Sequence, residues 1–195
     1  MVKSLKNFSV IIRTKNEEQW IGHTIQSVLD HLEKPEIIII DNNSSDKTLE
    51  IIKQFIEDPL LNKKSKNYTK IKIFKIENYS PGKSLNLGVK KSSKSNILII
   101  SAHCVLKKFS EENIEKDLKK FACIFGKQIP VYRGKKISKR YIWSHFEEKR
   151  KINLFSKLEN RYFLHNALAI YKKKVLQNYP FDENLTGKED RYWAN

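Results

Sequence analysis

The chain reads as an α/β protein built on a doubly wound, mostly parallel sheet flanked by helices, with a looser C-terminal region. Three observations predict this class. Between residues 8 and 101, apolar β-rich runs alternate with segments whose apolar residues recur at helical spacing. The strand-like runs are continuous rather than alternating, as expected of strands covered on both faces. At 195 residues the chain holds one such domain with a real core, and is too short for two comfortable ones.

The elements follow in order. FSVIIRT (Phe8–Thr14) is a buried strand. In the segment after it, Trp20, Ile21, Thr24, Ile25, Val28, Leu29 and Leu32 fall on one helical face. Asn16 reads as that helix's N-cap, with Glu17 and Glu18 where the helix dipole favours acids. PEIIIID is a second buried strand ending at Asp41, and NNSSDKTLEIIKQFI supplies a Ser/Asp cap and an amphipathic helix. KIKIFKI alternates as a half-buried strand. In SPGKSLNLGVKKS, Ser80 is the cap and Pro81 takes the first helical position. NILIIS (Asn96–Ser101) closes the series. Beyond residue 107 the spacing predicts a helix in SEENIEKDLKKF, a strand in ACIFGKQIPVY, and an aromatic, basic stretch to Phe155. Strand, turn and short helix follow in RYFLHNALAIYKKKVLQNYP. The last helix opens after Thr186-Gly187 and stops at Asn195 with its apolar face incomplete, so the sequence reads as cut within an element.

Composition narrows the setting. The formal charge of +16 calls for an anionic partner: nucleic acid, an anionic membrane face or a phosphorylated ligand. No apolar run approaches the ~20 residues that span a bilayer, and the N-terminus lacks a signal-peptide core. Two cysteines make no disulfide framework, which suits a reducing, cytoplasmic compartment. Neither GxxxxGK[ST] nor GxGxxG occurs, which removes the two commonest nucleotide readings.

In a doubly wound sheet, ligands sit beyond the carboxyl ends of the strands. The tips there are Thr14-Lys15-Asn16-Glu17, Asp41-Asn42-Asn43-Ser44, Tyr79 to Lys83 and Ser101-Ala102-His103-Cys104, all rich in hydrogen-bonding groups. With their flanks, SVIIRTKNEEQWIGHTIQSVL, EIIIIDNNSSDKTLEII, SPGKSLNLGVKKSSKSNILIISAHC and FDENLTGKEDRYWA resemble, in order and spacing, the family 2 glycosyltransferases of the GT-A fold. FGKQIPVY and HNALAIYKKKVL look nearest to the rhamnosyltransferase-like branch.

The resemblance implies roles. Thr14, Asn16 and Glu17 match the stretch that lines the nucleoside pocket, with Arg13 standing where proline is usual. Asp41 matches the aspartate that accepts hydrogen bonds from the donor's base or ribose, and Lys83 a basic residue near the nucleotide. Ser101 and His103 occupy the Asp-X-Asp positions that hold Mg²⁺ or Mn²⁺ against the donor diphosphate. Either His103 still ligates a metal, with the diphosphate supplying most oxygens, or protonated His103 and nearby lysines neutralise the leaving group unaided. Asp190 matches the general base toward the acceptor hydroxyl, and Glu189 its orienting neighbour. Asn166 lies near the acceptor-side match, and His145 and His165 receive no role. On this reading residues 1–106 are the nucleotide-sugar-binding half and 107–195 the acceptor-side half of one domain. The expected partners are a nucleotide-sugar donor and a glycan or lipid-linked acceptor. The expected location is cytoplasmic, with peripheral contact at an anionic inner membrane face through clusters such as RGKKISKR.

Three other readings compete. A nucleic-acid module suits the charge, but no nucleic-acid motif is present. A sugar nucleotidyltransferase would need glycines after the first strand, which RTKNEE lacks. A relative that binds nucleotide without transferring sugar is kept open by the missing Asp-X-Asp.

Overall fold

The computed structural model describes residues 7–58, 69–137, 145–146 and 149–195, with the side chains of 111 and 112 excepted. Tyr141, Trp143, most of the LNKKSKNYTK lysines and the last residues of RGKKISKR fall outside that set.

The first half is laid down as the alternation requires. Strands β1 (Phe8–Thr14), β2 (Glu36–Asp41), β3 (Lys70–Lys75) and β4 (Asn96–Ser101) are separated by helices α1 (Ile21–His31), α2 (Thr48–Glu57) and α3 (Pro81–Lys91). The four strands pair in parallel in the order β3-β2-β1-β4. β2 is buried at every position, whereas β3, at the sheet edge, is half-covered, as its alternating sequence requires.

The second half completes the same sheet from the other direction. After α4 (Glu111–Leu118) come β5 (Cys123–Phe125), a hairpin of β6 (Val131–Tyr132) and β7 (Lys135–Lys136), a second hairpin of β8 (Phe155–Ser156) and β9 (Arg161–Tyr162), then β10 (Leu168–Lys172), α5 (Lys173–Asn178) and α6 (Glu189–Trp193). β10 pairs antiparallel with both β4 and β5, giving a mixed six-stranded sheet. The strand expected across ACIFGKQIPVY is interrupted. It pairs with β10 only as far as Gly126, and Val131–Tyr132 joins a separate two-stranded ladder just past Pro130.

Alternate residues of each strand feed two cores. Val10 and Ile12 pack with Ile21, Ile25 and Val28 of α1 and Ile52 of α2. Ile11, Ile38 and Ile40 pack with Leu85 and Val89 of α3 and Leu176 of α5. Gly88 lets α3 lie against β1, because a Cβ there would come within 2.6 Å of Ile11 Cγ2. Among the described residues no helix is long and apolar enough to cross a membrane.

The helix start expected at Asn16 moves. α1 begins at Ile21, and Asn16 lies in the left-handed region at φ 54°. Its side chain caps nothing in its own helix, for the reason that appears at the site.

Candidate active site

Parallel register lines up the strand ends. Thr14 pairs with Asp41, and Arg13 with Ser101, so three of the expected tips lie side by side on the carboxyl edge of the sheet. The β1 and β2 tips are laced together by hydrogen bonds. Asn16 Oδ1 accepts from Ser45 N at 2.8 Å, Glu17 N donates to Thr48 Oγ1 at 2.7 Å, and Glu18 N donates to Asp46 Oδ2 at 3.0 Å. Asn16 therefore holds two loops together, and its left-handed backbone is the turn that lets it do so. Asp41 is fully buried, and its carboxylate accepts from Ser44 Oγ at 2.6 Å and Ser44 N at 3.1 Å.

At the β4 tip, His103 faces Glu17, with Nδ1 3.0 Å from Oε1. The imidazole side chain is 60% exposed, so this pair closes the β1–β4 gap at the surface. Lys83 sits in the first turn of α3, where its N–H donates to Ser80 Oγ at 3.1 Å and completes the expected cap.

Between the β1 and β4 ends and α6 lies a cavity of about 370 Å³. Ser101, Glu189 and Asp190 line it together with Arg13, His165, Asn166 and Lys188. Glu189 and Asp190 are both buried. Arg13 Nη1 pairs with Glu189 Oε1 at 3.1 Å and also donates to the Pro81 carbonyl at 3.3 Å, joining β1, α3 and α6. Asp190 is held by two amides: Asn166 N donates to Oδ2 and Arg191 N to Oδ1, each at 2.8 Å. Lys188, just before this pair, takes left-handed backbone at φ 60°, which turns the chain into α6.

His165 also lines the cavity. Burial pushes its pKa below the ordinary histidine value, Asp190 works against that, and the Arg191 and Arg13 cations add to it. Its Nδ1 accepts from Ala167 N and from the Gln128 amide at 2.7 Å, which leaves the ring proton on Nε2. Two buried polar atoms beside the site have no partner among the described residues: Thr14 Oγ1 and Asn166 Nδ2. Such orphans are uncommon in a packed interior.

The expected divalent cation can be tested against these side chains. Among the described residues no three His, Cys, Asp or Glu groups gather closely enough to hold a metal. The β4 tip offers one imidazole beside one carboxylate, a sparse set for a hard ion that seeks six oxygens. The described residues do not by themselves make a metal site.

The strand order, the mixed sheet and the acidic pair at α6 now meet an independent comparison. The model of the family described as Glycosyl transferase family 2 matches residues 9–179. The chain belongs to glycosyl transferase family 2. Its fold is of the GT-A type. A glucosyltransferase of Campylobacter jejuni, named GalNAc(5)-diNAcBac-PP-undecaprenol beta-1,3-glucosyltransferase, is 25% identical over 199 residues, covering 98% of this chain and 60% of its own. TarS of S. aureus, solved as residues 1–349 with UDP-GlcNAc, shares 22% identity at a TM-score of 0.69, over 96% of this chain and 52% of its own. The mannosyltransferase PcManGT of Pyrobaculum calidifontis, solved with GDP-Man and Mn²⁺, shares 13% identity at a TM-score of 0.66, over 96% and 50%. This family 2 chain thus spans about three fifths of the curated relative and about half of each solved one.

The sequence located the strand tips and the acidic pair. It noted Arg13 only as a departure, left His165 without a role, and passed over Lys188 and Arg191. Arg13 was findable, as a cation ending a buried strand. His165 was not, and Asn166 entered only as an acceptor-side candidate, because only the antiparallel return of β10 carries them to the β4 tip.

Proposed function

We propose that the chain moves a sugar from a nucleotide-sugar donor to a hydroxyl of a glycan or lipid-linked acceptor, with inversion, in cell-surface polysaccharide synthesis. One observation carries the reading: the buried Asp190 carboxylate, fixed by two backbone amides, shares a cavity with Ser101 and Arg13 at the carboxyl edge of the sheet. The donor lies along that edge. Thr14, Asn16, Glu17 and the Ser44 turn shape its nucleoside pocket, and Asp41 accepts from base or ribose in place of the Ser44 hydroxyl. Lys83, Ser101 and His103 face the diphosphate, with the His103 ring held by Glu17. The acceptor hydroxyl gives its proton to Asp190 while its oxygen attacks the anomeric carbon. The bond from that carbon to the diphosphate oxygen breaks, and its electron pair leaves with the nucleotide. A single displacement inverts the centre. Glu189, neutralised by Arg13, keeps the base in place. Asn166, which lines the cavity, carries a side-chain amide nitrogen with no partner among the described residues.

Asp190→Asn tests this. Calorimetry against UDP-, GDP-, dTDP- and CMP-sugars should show donor binding unchanged, while product formation falls by about 10²–10⁴-fold. Turnover that survives the substitution removes Asp190 as the base. A second reading, a nucleotide-sugar binder without transfer, is favoured by Ser101 and His103 standing where acids are usual. It holds if the unaltered chain binds a donor yet forms no product with any acceptor offered.

A further inference from the structure

The β8–β9 hairpin is built inside out. Its inward positions are Ser156 and Arg161: Ser156 is buried and bonded to His145 Nε2 at 2.7 Å, and Arg161 lies 3.6 Å from Glu159. Its outward pair is Phe155 and Tyr162, packed edge-to-face at 5.5 Å yet 46% and 44% exposed. Leu158, in the turn, is 78% exposed, and Ile152, just before the hairpin, is 60% exposed. Tyr192 of α6 is 55% exposed, with the Arg161 guanidinium 4.8 Å from its ring. A leucine held at the tip of a turn, backed by an aromatic pair, is not how a water-facing hairpin is finished.

The charges along this segment are mostly cationic, although Arg150 among them pairs with Asp117 at 2.9 Å. From Lys149 to Tyr162 the sequence carries five cations and one carboxylate, Glu159. That carboxylate is turned inward, 7% exposed and bound to Arg191. Lys149 and Lys157 stand exposed at the rim. We infer that this hairpin is where the protein rests on an anionic lipid bilayer. Leu158, Phe155 and Ile152 enter the boundary between headgroups and acyl chains, Tyr162 sits at headgroup level, and the rim lysines meet lipid phosphates.

The hairpin is locked to the helix that carries Asp190. Tyr162 N donates to Asn195 Oδ1 at 3.0 Å, and Glu159 is salt-bridged to Arg191. A bilayer under Leu158 therefore lies beside the acceptor side of the cavity. That consequence rests on the function proposed above; the lipid contact does not.

Flotation of the full chain with mixed phosphatidylcholine–phosphatidylglycerol vesicles tests the contact. The unaltered protein should float, and Leu158→Glu should bind about tenfold more weakly or worse. Lys157→Glu should weaken binding to the mixed vesicles and leave the weaker binding to pure phosphatidylcholine unchanged. Both side chains are exposed, so melting temperature and turnover on a water-soluble acceptor should not move. In Leu158→Trp, iodide should quench the indole without vesicles and lose access when vesicles are added. Flotation of Leu158→Glu equal to the unaltered chain overturns the inference, as does an indole already shielded without lipid, which would mean that protein covers the face. Asp190→Asn should float normally, so loss of the proposed chemistry and loss of the lipid contact are read separately.

Discussion

Arg13 and Glu189 show how one substitution reshapes a site. Where proline is usual at the end of β1, an arginine reaches α6 and places its charge 3.1 Å from a buried glutamate. Arg13→Ala should leave Glu189 buried without its cation, costing about 1–3 kcal/mol in urea unfolding and most of the turnover. Arg13→Lys should restore part of the stability and less of the activity, since the shorter lysine must carry its ammonium to the place where one guanidinium nitrogen now meets both Glu189 and the Pro81 carbonyl. His165 has a sign that can be read. Its pKa is pushed down, so the neutral ring is the native form at neutral pH, and it takes up a proton only below the ordinary 6.5. An NMR titration should place its midpoint below that value, and transfer should decline as the pH falls through it. A midpoint above 6.5 would show that Asp190, rather than burial, dominates the ring.

Helix α3 is where local sequence and distant packing meet. Ser80 caps it as its sequence requires, and Ser80→Ala should cost about 1 kcal/mol in thermal unfolding. Gly82 has another reason to be there. A Cβ at that position would run into the Asp182 backbone carbonyl, on the loop that leads to α6. Gly82→Ala should force that loop outward, costing about 1–3 kcal/mol and lowering turnover more than donor affinity, because the loop leads to Asp190, the proposed base. If turnover holds while stability falls, the loop and the base are not coupled. The capping at Ser80 and Pro81 was plain from neighbouring residues. The tightness at Gly82 was not, because its partner lies 100 positions away in sequence.

Across the fold, the proposed chemistry and a buried carboxylate network occupy opposite edges of the sheet. At the amino edge Glu36 is buried and accepts from Ser9 Oγ at 2.6 Å, Lys72 Nζ at 2.8 Å and Ser93 N at 2.6 Å. Burial alone would raise its pKa; the hydrogen bonds from Lys72, Ser9 and Ser93 outweigh burial and bring it from 4.5 to about 2. A lowered carboxylate pKa stabilises the fold in full above 4.5, and that stability drains away as the pH falls toward about 2. Glu36→Gln should be less stable by about 1–3 kcal/mol at neutral pH, and its gap from the unaltered chain should close between those values. A gap independent of pH would mean that packing, not charge, is what Glu36 supplies.

The strands, the α3 cap and the four polar tips were legible because each depends on neighbours within a few residues: apolar runs, a Ser-Pro start, an acid before a helix. Asn16 misled for the same reason, since its side chain answers to Ser45 in another loop rather than to the helix that follows it. The reversal of β10, the union of Arg13 with Glu189, and the seating of His165 and Asn166 against Asp190 are contacts between residues far apart in the chain. Their free energy depends on the closed sheet, which no local pattern encodes, so only the folded protein could bring them together.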